Sequence, residues 1–406
     1  MAATQFKVEN YLPNSFIMVE GKKNAESFYI ILKGKVKLSR EIVYINDNSV
    51  PIVGPGDFFG VISCMSGHAR EENAVSSEPT AVIAVRKEQF GELIQRNPDV
   101  AMKIIRFFSR KLRYYDQAIT QLTLKTTAEE NPEHLYKIGE YYLTKRSFQH
   151  AAYAFQRYLQ YCPAGTSAEK SLYRLKQLKA PFTVQEPPLE GLCRNYKDNT
   201  MIFCENEYGF ELYIIQTGQV KITKIVGEEE VLLAVLKPGD IFGEMALLEN
   251  RPRSATAISF GDVKLMAINK DNFETTVTSQ PQLATRLIVI LSERIWTAAR
   301  QLENLTIKDP IGRIYDTLLI QIEKQKISIR PKLAHNFQFG VSELLNMVGM
   351  SKEKSEALIA QLFSEKLITI DGGKLICQDI AELEKVAHFF KKKTAMDKKR
   401  EAGKAI

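Results

Sequence analysis

The sequence lacks the patterns that mark several classes of protein. Its five cysteines include no CxxC pair, which argues against a disulfide framework and a structural zinc site. No apolar run approaches the ~18 residues that span a bilayer. The first residues, MAATQFKVEN, do not combine a basic segment with an apolar one as a signal peptide does. We therefore expect a cytoplasmic protein with no membrane span and no bound metal.

Patterns of enzyme chemistry are also missing. The five histidines are scattered, and no nucleophile–base or metal-ligand spacing occurs around them. The chain has no GxxxxGK[ST] segment, so we expect no site for a nucleoside triphosphate of that type. The sequence thus predicts a protein that is not an enzyme.

Excess positive charge is confined to the C-terminal end. The net charge is +7, and residues 391–406 hold seven Lys/Arg and two acidic residues, or +5. The rest of the chain therefore carries only +2, which is too little for a general polyanion binder. We expect residues 391–406 to form a basic flexible tail, with a nucleic-acid or membrane contact as the alternative.

One pattern occurs twice along the chain. The segment ESFYIILKGKVKL (26–38) matches GFELYIIQTGQVKI (209–222), and GPGDFFG (54–60) matches KPGDIFG (237–243). The offset of about 183 residues indicates two copies of one domain. Short runs rich in Val, Ile and Tyr between Gly and Pro-Gly-Asp turns predict antiparallel β structure in each copy.

A long helical pattern follows each copy, at residues 99–124 and 282–306. In the second helix, apolar residues are spaced 4, 4, 3, 4 and 3 apart, close to the seam of a coiled coil. Such a seam predicts either a homodimer interface or a helix packed on its own domain. The seam consists of Leu287, Leu291, Ile295, Ala298, Leu302 and Leu305.

Two helical regions complete the chain. Residues 134–163 fit the tetratricopeptide pattern of two helices that cross at small residues, although a simple helical spacer is the alternative for one repeat. After Asp309–Pro310, a helix–turn–helix pattern and a strand pair turning at residues 371–373 outline a winged DNA-reading module. Because three Lys and three Glu cancel over residues 351–366, a protein-interaction role stays open as well.

The segment FGEMALLENRPRSATA (242–257) has the chemistry of a nucleotide site. Gly243 lets the backbone come close to a ligand, and the N–H groups of the helical turn after it favour an anion. Arg253 offers a planar fork of donors for a phosphate, and Glu244 offers an acceptor for a hydroxyl. One short segment could therefore hold the phosphate and the ribose of a nucleotide.

This segment resembles the phosphate-binding cassette of the cyclic nucleotide-binding domain, the β-barrel module of Crp–Fnr-type regulators. The resemblance implies that Arg253 binds the cyclic phosphate and that Glu244 binds the ribose 2′-hydroxyl. It implies cAMP as the ligand, with cGMP as the alternative, because a small residue follows the Arg. The remaining ligand-contact candidates are Gly243, Met245, Ala246, Ser254 and Ala255 in the cassette, and Trp296 and Thr297 on the long helix.

The first copy departs from this pattern. Val61 stands where Glu244 stands in the second copy, whereas Arg70 matches Arg253. A buried hydroxyl without its acceptor costs about 1–3 kcal/mol. In addition, Glu71 and Glu72 would compete with a phosphate for Arg70. We predict a degenerate structural domain, with a site for a different ligand as the alternative.

These patterns predict an α+β multidomain protein, and the resemblance implies that it contains two jelly-roll nucleotide domains. The expected function is that of a cAMP-responsive, homodimeric Crp–Fnr-type regulator of DNA. The alternative is an effector that regulates a protein partner through the insert, the first copy or the winged helix, without specific DNA binding. The DNA-contact candidates are Ser351, Lys352, Glu353 and Lys354. The predicted order is a degenerate domain (1–125), a helical insert (126–182), a nucleotide domain (192–307), a winged helix (308–390) and the tail (391–406).

Overall fold

The structure, a computed structural model, divides the chain into two compact units. One unit contains residues 1–87 and 296–406, and the other contains residues 88–295. No helix of the part that the structure describes is long and apolar enough to cross a bilayer. The described residues are 6–23, 25–40, 51–124, 131–226, 229–249, 251–269, 272–273, 275, 279–348, 350 and 355–403.

The first unit begins with an antiparallel β roll made of two four-stranded sheets, in the orders β1-β8-β3-β6 and β2-β7-β4-β5. Along β8, buried and partly exposed residues largely alternate, as expected for a strand with one face on a core. A short helix, α1 (Val61–Ser66), follows β6. The strands are β1 (Lys7–Tyr11), β2 (Phe16–Met18), β3 (Ser27–Lys33), β4 (Val36–Ser39), β5 (Ile52–Val53), β6 (Phe58–Phe59), β7 (Asn73–Ser76) and β8 (Thr80–Arg86).

The second unit begins with helices and the insert. Helix α2 spans Phe90–Arg96 and α3 spans Pro98–Leu124. The insert comprises α4 (Leu135–Thr144), α5 (Phe148–Tyr161) and α6 (Ala168–Gln177). A Cβ on Gly139 would lie 2.5 Å from the ring of Phe155, so glycine allows α4 and α5 to approach closely. The predicted helix pair is present, and its likeness to a tetratricopeptide repeat stays a prediction.

The second β roll forms around two long strands. In its sheet the order is β10-β14-β11-β12, with β13 on β11 and β9 on β14. Register shifts interrupt the pairing of β11 with β14, as bulges do where long strands bend. The elements are β9 (Cys193–Tyr196), β10 (Met201–Phe203), β11 (Glu211–Val226), β12 (Glu229–Leu236), β13 (Ile241–Phe242), α7 (Glu244–Glu249) and β14 (Thr256–Asn269).

The long helix α8 spans Pro281–Thr306 and runs from the second unit into the first. Of the predicted seam residues, Leu287, Leu291, Ile295, Ala298 and Leu302 are buried within the single chain. This burial favours the packing alternative over a dimer seam, since apolar residues already covered add little to an interface.

The described residues in the C-terminal part of the first unit form helices and short strands, and their likeness to a winged helix stays a prediction. The side chain of Asp309 accepts a hydrogen bond from the backbone N–H of Ile311 and caps the first helix. Two glycines with positive φ, Gly372 and Gly373, form the turn between the last two strands. The elements are α9 (Pro310–Lys324), β15 (His335–Asn336), α10 (Val341–Val348), α11 (Glu356–Ser364), β16 (Ile368–Asp371), β17 (Lys374–Cys377) and α12 (Ile380–Gly403).

The region from residue 391 onward, which was expected to be a flexible tail, is helical as far as residue 403. Helix α12 continues to Gly403. The side chain of Lys391 on this helix is 10% exposed, and its Nζ lies 2.9 Å from the buried carboxylate of Asp316 on α9. This ion pair, which the charge pattern alone did not reveal, anchors the middle of the helix to the domain.

Candidate functional site

The cassette begins with a glycine in a left-handed conformation. Gly243 has φ +79°, and α7 starts at the next residue, Glu244. A Cβ at Gly243 would lie 2.6 Å from Nη1 of Arg253. Both the backbone angle and the space therefore require glycine at this position.

Arg253, the residue predicted to bind the phosphate, lies inside the roll, with 4% of its surface exposed. Its Nη1 donates to the carbonyl of Gly243 at 2.5 Å, and its Nη2 donates to the carbonyl of Glu211 at 2.8 Å. The guanidinium carbon lies 4.1 Å from the ring centroid of Phe203, a cation–π contact. Its buried Nε has no hydrogen-bond partner among the described residues. The side chain is thus held in place and still has a donor for an anion.

A backbone segment lies against this guanidinium. We call residues 205–209 the strap. The N–H of Arg253 donates to the carbonyl of Glu207 at 2.7 Å, and the N–H of Asn206 donates to the carbonyl of Arg253 at 2.9 Å. A Cβ on Gly209 would lie 2.2 Å from Cζ of Arg253. The strap therefore fixes where Arg253 can lie.

The predicted hydroxyl acceptor Glu244 is 1% exposed. Its Oε1 accepts a hydrogen bond from Nη1 of Arg294 on α8 at 2.7 Å. A buried carboxylate needs such a partner, because an unpaired buried charge is costly. Nearby, burial raises the pKa of Asp116 on α3 to about 6; the carboxylate of Glu244 adds to the rise and Arg294 opposes it. Glu244 therefore belongs to a charged cluster that includes the long helix.

The structure brings most of the predicted cassette residues together. Met245 and Ala246 are buried in the first turn of α7, and Ser254 and Ala255 are partly buried just after Arg253. The carbonyl of Ser254 accepts a hydrogen bond from Nζ of Lys224 at 3.2 Å. The direct contact between the two ends of the loop is the hydrogen bond from Arg253 to the carbonyl of Gly243.

Trp296 and Thr297, the two residues predicted to contact the base, lie on the long helix. The indole ring of Trp296 stacks on the imidazole ring of His68, with ring centroids 3.6 Å apart and an interplanar angle of 7°. Trp296 is 5% exposed, so it has the packing role that is the other common use of a tryptophan. Thr297 is partly buried. A contact of either residue with a base stays a prediction.

The first copy repeats the arginine arrangement without the acid. Nη1 of Arg70 donates to the carbonyl of Gly60 at 3.0 Å, and Nη2 donates to the carbonyl of Ser27 at 2.5 Å. Nη1 also donates to Oγ of Ser63 at 3.1 Å. At the position of Glu244, the side chain of Val61 is buried and apolar. This arrangement supports the prediction of a structural domain.

The two carboxylates next to Arg70 behave differently from each other. Burial lowers the pKa of Arg70 and the charge of Glu72 opposes this shift, so Glu72 does act on Arg70 as expected. Glu71 accepts a hydrogen bond from Nη2 of Arg40 at 3.1 Å, instead of competing for Arg70. The DNA-contact candidates Ser351, Lys352, Glu353 and Lys354 lie outside the described residues. No group of three or more His, Cys, Asp or Glu that could hold a metal occurs in the described part of the chain.

Sequence reasoning missed several residues that form the site. Phe203 lies beneath Arg253, Gly209 lies against it, and Arg294 binds Glu244. Gly209 is not repeated in the first copy, where Ala25 occupies the aligned position, so the repeat gave no signal for it. Nothing in the sequence distinguishes Arg294 from the other basic residues of the long helix, because its partner is 50 residues away.

Comparison with known proteins agrees with this geometry. The family model of the cyclic nucleotide-binding domain matches residues 8–97 and 193–280. The chain is 29% identical over 195 residues to the cyclic AMP receptor protein of Thermus thermophilus, which covers 48% of this chain and 87% of that protein. It is 26% identical over 187 residues to a CRP-like cAMP-activated global transcriptional regulator of Mycobacterium tuberculosis, covering 46% and 84%.

Among solved structures, the crystal structure of Thermus thermophilus catabolite activator protein matches 49% of this chain and 90% of its own, with 27% identity and a TM-score of 0.28. The two matches of the family model show that the chain contains two cyclic nucleotide-binding domains, and the curated relatives show that it has homologues among the Crp/Fnr-type regulators. The predicted pair of β-rich nucleotide domains is confirmed, whereas the degeneracy of the first stays a prediction.

Proposed function

We propose that the protein is a cyclic nucleotide-responsive regulator of the Crp–Fnr type that binds cAMP in its second nucleotide domain. One observation carries the proposal: the buried Arg253 keeps an unpartnered Nε while it bonds the carbonyl of Gly243, and the next residue, Glu244, has its carboxylate paired with Arg294. The donors of Arg253 suit a cyclic phosphate and the acceptor of Glu244 suits a ribose hydroxyl. The relatives named for cAMP support this choice of nucleotide. The cytoplasmic location and the homodimeric state stay predictions.

The signal passes from the cassette into the long helix. The short helix α7 carries Glu244, and Arg294 joins that carboxylate to α8. Further along α8, Nη2 of Arg300 lies 3.1 Å from the carboxylate of Asp316 on α9. A ligand that draws Glu244 and Arg253 toward itself would therefore repack α8 and move the C-terminal module. The size of this shift is limited by the difference in ligand affinity between the two arrangements.

Hydrogen exchange of the full-length protein tests the proposal. We expect saturating cAMP to change amide protection along residues 281–306 as well as in the cassette. In parallel, fluorescence anisotropy with a mixed-sequence DNA duplex should show binding that cAMP strengthens and that salt weakens. Unchanged protection of α8 in the presence of bound cAMP would refute the route through this helix.

A second candidate is an effector that regulates a protein partner without specific DNA binding. The observation in its favour is the direct contact of the insert with the strap beside Arg253, since Tyr161 Oη donates to the carbonyl of Tyr208 at 3.0 Å. Ligand-responsive protection of α8 with no salt-sensitive DNA binding would favour this candidate.

A further inference from the structure

One face of helix α5 in the insert carries three polar side chains at four-residue spacing. Tyr153, Arg157 and Tyr161 lie one turn apart on the same side of the helix. All three contact the strap or the strand before it, and all lie within the same compact unit as the cassette. The insert is therefore part of the environment of the second nucleotide site.

The contacts converge on one buried carboxylate. Glu207 is 3% exposed. Its Oε1 accepts a hydrogen bond from Tyr153 Oη at 3.3 Å, and its Oε2 lies 3.2 Å from Nε of Arg157. Burial raises the pKa of Glu207 above its usual range, and the charges of Arg157 and Arg253 offset only part of that rise. The carboxylate thus interacts with one arginine of the insert and with the arginine of the cassette.

Hydrogen bonds to the backbone of the strap also connect helix α5 with Arg253. The carbonyl of Glu207 accepts the N–H of Arg253, so the residue that interacts with the insert also fixes the main chain of the ligand-binding arginine. Tyr161 holds the next strap residue, Tyr208, by its carbonyl. A shift of α5 would consequently shift the strap and, with it, the position of Arg253.

We propose that the helical insert sets the affinity of the second site for a cyclic phosphate, and that Arg157 and Glu207 are the positioning residues that connect the two. This inference rests on the proposed function. Arg157 neutralises Glu207 and so leaves the charge of Arg253 available to an anion.

The charges of Arg157, Glu207 and Arg253 predict that substitutions of Arg157 and of Glu207 change the affinity for an anion in opposite directions. In Arg157→Gln, Glu207 keeps Arg253 as its nearby cation, so anion binding should weaken. In Glu207→Gln, the competing carboxylate is gone, and anion binding should strengthen. Arg157 stays paired in that variant, because its Nη2 also lies 2.9 Å from Glu186. A purely structural role predicts weaker binding in both variants or no change in either.

Calorimetric titration of the full-length protein with cAMP decides between these outcomes. We expect Arg157→Gln to bind about fivefold more weakly, Glu207→Gln about threefold more tightly, and Arg157→Lys within about twofold of the unmodified protein. The matched control is Arg174→Gln, which removes an ion pair with Glu140 elsewhere on the insert and should leave affinity unchanged. Should Arg157→Gln fail to fold, the tighter binding of Glu207→Gln still tests the proposal.

The possible failures can be told apart. If the unmodified protein binds cAMP and neither variant differs from Arg174→Gln, or if both bind more weakly, the role of the insert is overturned while the proposed function stands. If the unmodified protein binds no cyclic nucleotide, the proposed function and this inference fall together.

Discussion

The buried carboxylate of Glu244 is bonded to Arg294 on the long helix, with Oε1 and Nη1 separated by 2.7 Å. Glu244 opens the cassette helix α7, and Arg294 lies in the middle of α8. The ion pair therefore connects the predicted ribose acceptor directly to the helix that continues toward the C-terminal domain. Through this ion pair, a ligand that changes the surroundings of Glu244 also changes the contacts of the long helix.

We expect Arg294→Gln to weaken cAMP binding about fivefold, because Glu244 loses the cation that orients it. The variant should also reduce the effect of cAMP on hydrogen exchange in α8. Arg286→Gln, on an exposed position of the same helix, is the control and should behave like the unmodified protein. Full retention of the exchange response in Arg294→Gln would show that this ion pair does not carry the signal.

The two arginines of the repeated pattern allow a matched test. Arg253 and Arg70 each donate to two backbone carbonyls at corresponding positions, so alanine should cost the two rolls similar stability. Arg253→Ala should weaken cAMP binding by at least about thirtyfold, as expected when a buried charge contact is lost. Arg70→Ala should leave it nearly intact. Equal losses measured by calorimetry would mean that the first copy also binds the nucleotide.

Gly209 in the strap allows a test that removes no charged side chain. In Gly209→Ala, the new methyl group would lie 2.2 Å from Cζ of Arg253 and must displace the guanidinium. We expect affinity for cAMP to fall by about tenfold or more, since small misplacements of a positioned group are costly. Gly54→Ala introduces a methyl group with no atom within 4 Å and serves as the control. Equal cAMP affinity in the two variants would show that the position of Arg253 is not limiting.

A buried charge cluster should make the C-terminal domain sensitive to acid. Asp316 is fully buried and accepts from Nη2 of Arg300 at 3.1 Å, while Nδ2 of Asn304 lies 3.0 Å and Nζ of Lys391 2.9 Å from its carboxylate. Burial alone would raise the pKa of Asp316, but the two cations hold it below its usual range. Its contribution to stability is thus complete above the unfolded pKa of ~3.9 and is lost as pH falls through the lower folded value.

Asp316→Asn should accordingly lower the free energy of unfolding by up to about 3 kcal/mol at pH 7. Arg300 and Lys391 lose their fully buried anion in this variant, although both keep Glu303 as a partner. The variant should also lose part of the decline in stability below pH 4. Urea denaturation followed at pH 7 and at pH 3–4 measures both effects. Parallel declines for the variant and the unmodified protein would mean that other carboxylates dominate acid sensitivity.

The sequence predicted the parts of this structure that depend on local pattern. The repeat placed both β rolls, and spacing from the Gly-Asp turn identified Arg70 and Arg253 as equivalent positions. It could not predict contacts that depend on how distant elements pack. Arg157 on the insert and Glu207 in the strap are 50 residues apart and carry no motif. The helical continuation to Gly403 was missed for the same reason, because Lys391 is held by a carboxylate 75 positions earlier.

Calorimetric titration of the full-length protein with cAMP, with cGMP as the comparison, tests the central claim most directly. We predict one binding site per chain for cAMP, lost in Arg253→Ala, and weaker binding of cGMP. No heat of binding with either nucleotide, or two equivalent sites per chain, would contradict the assignment of the second domain as the one that binds the ligand.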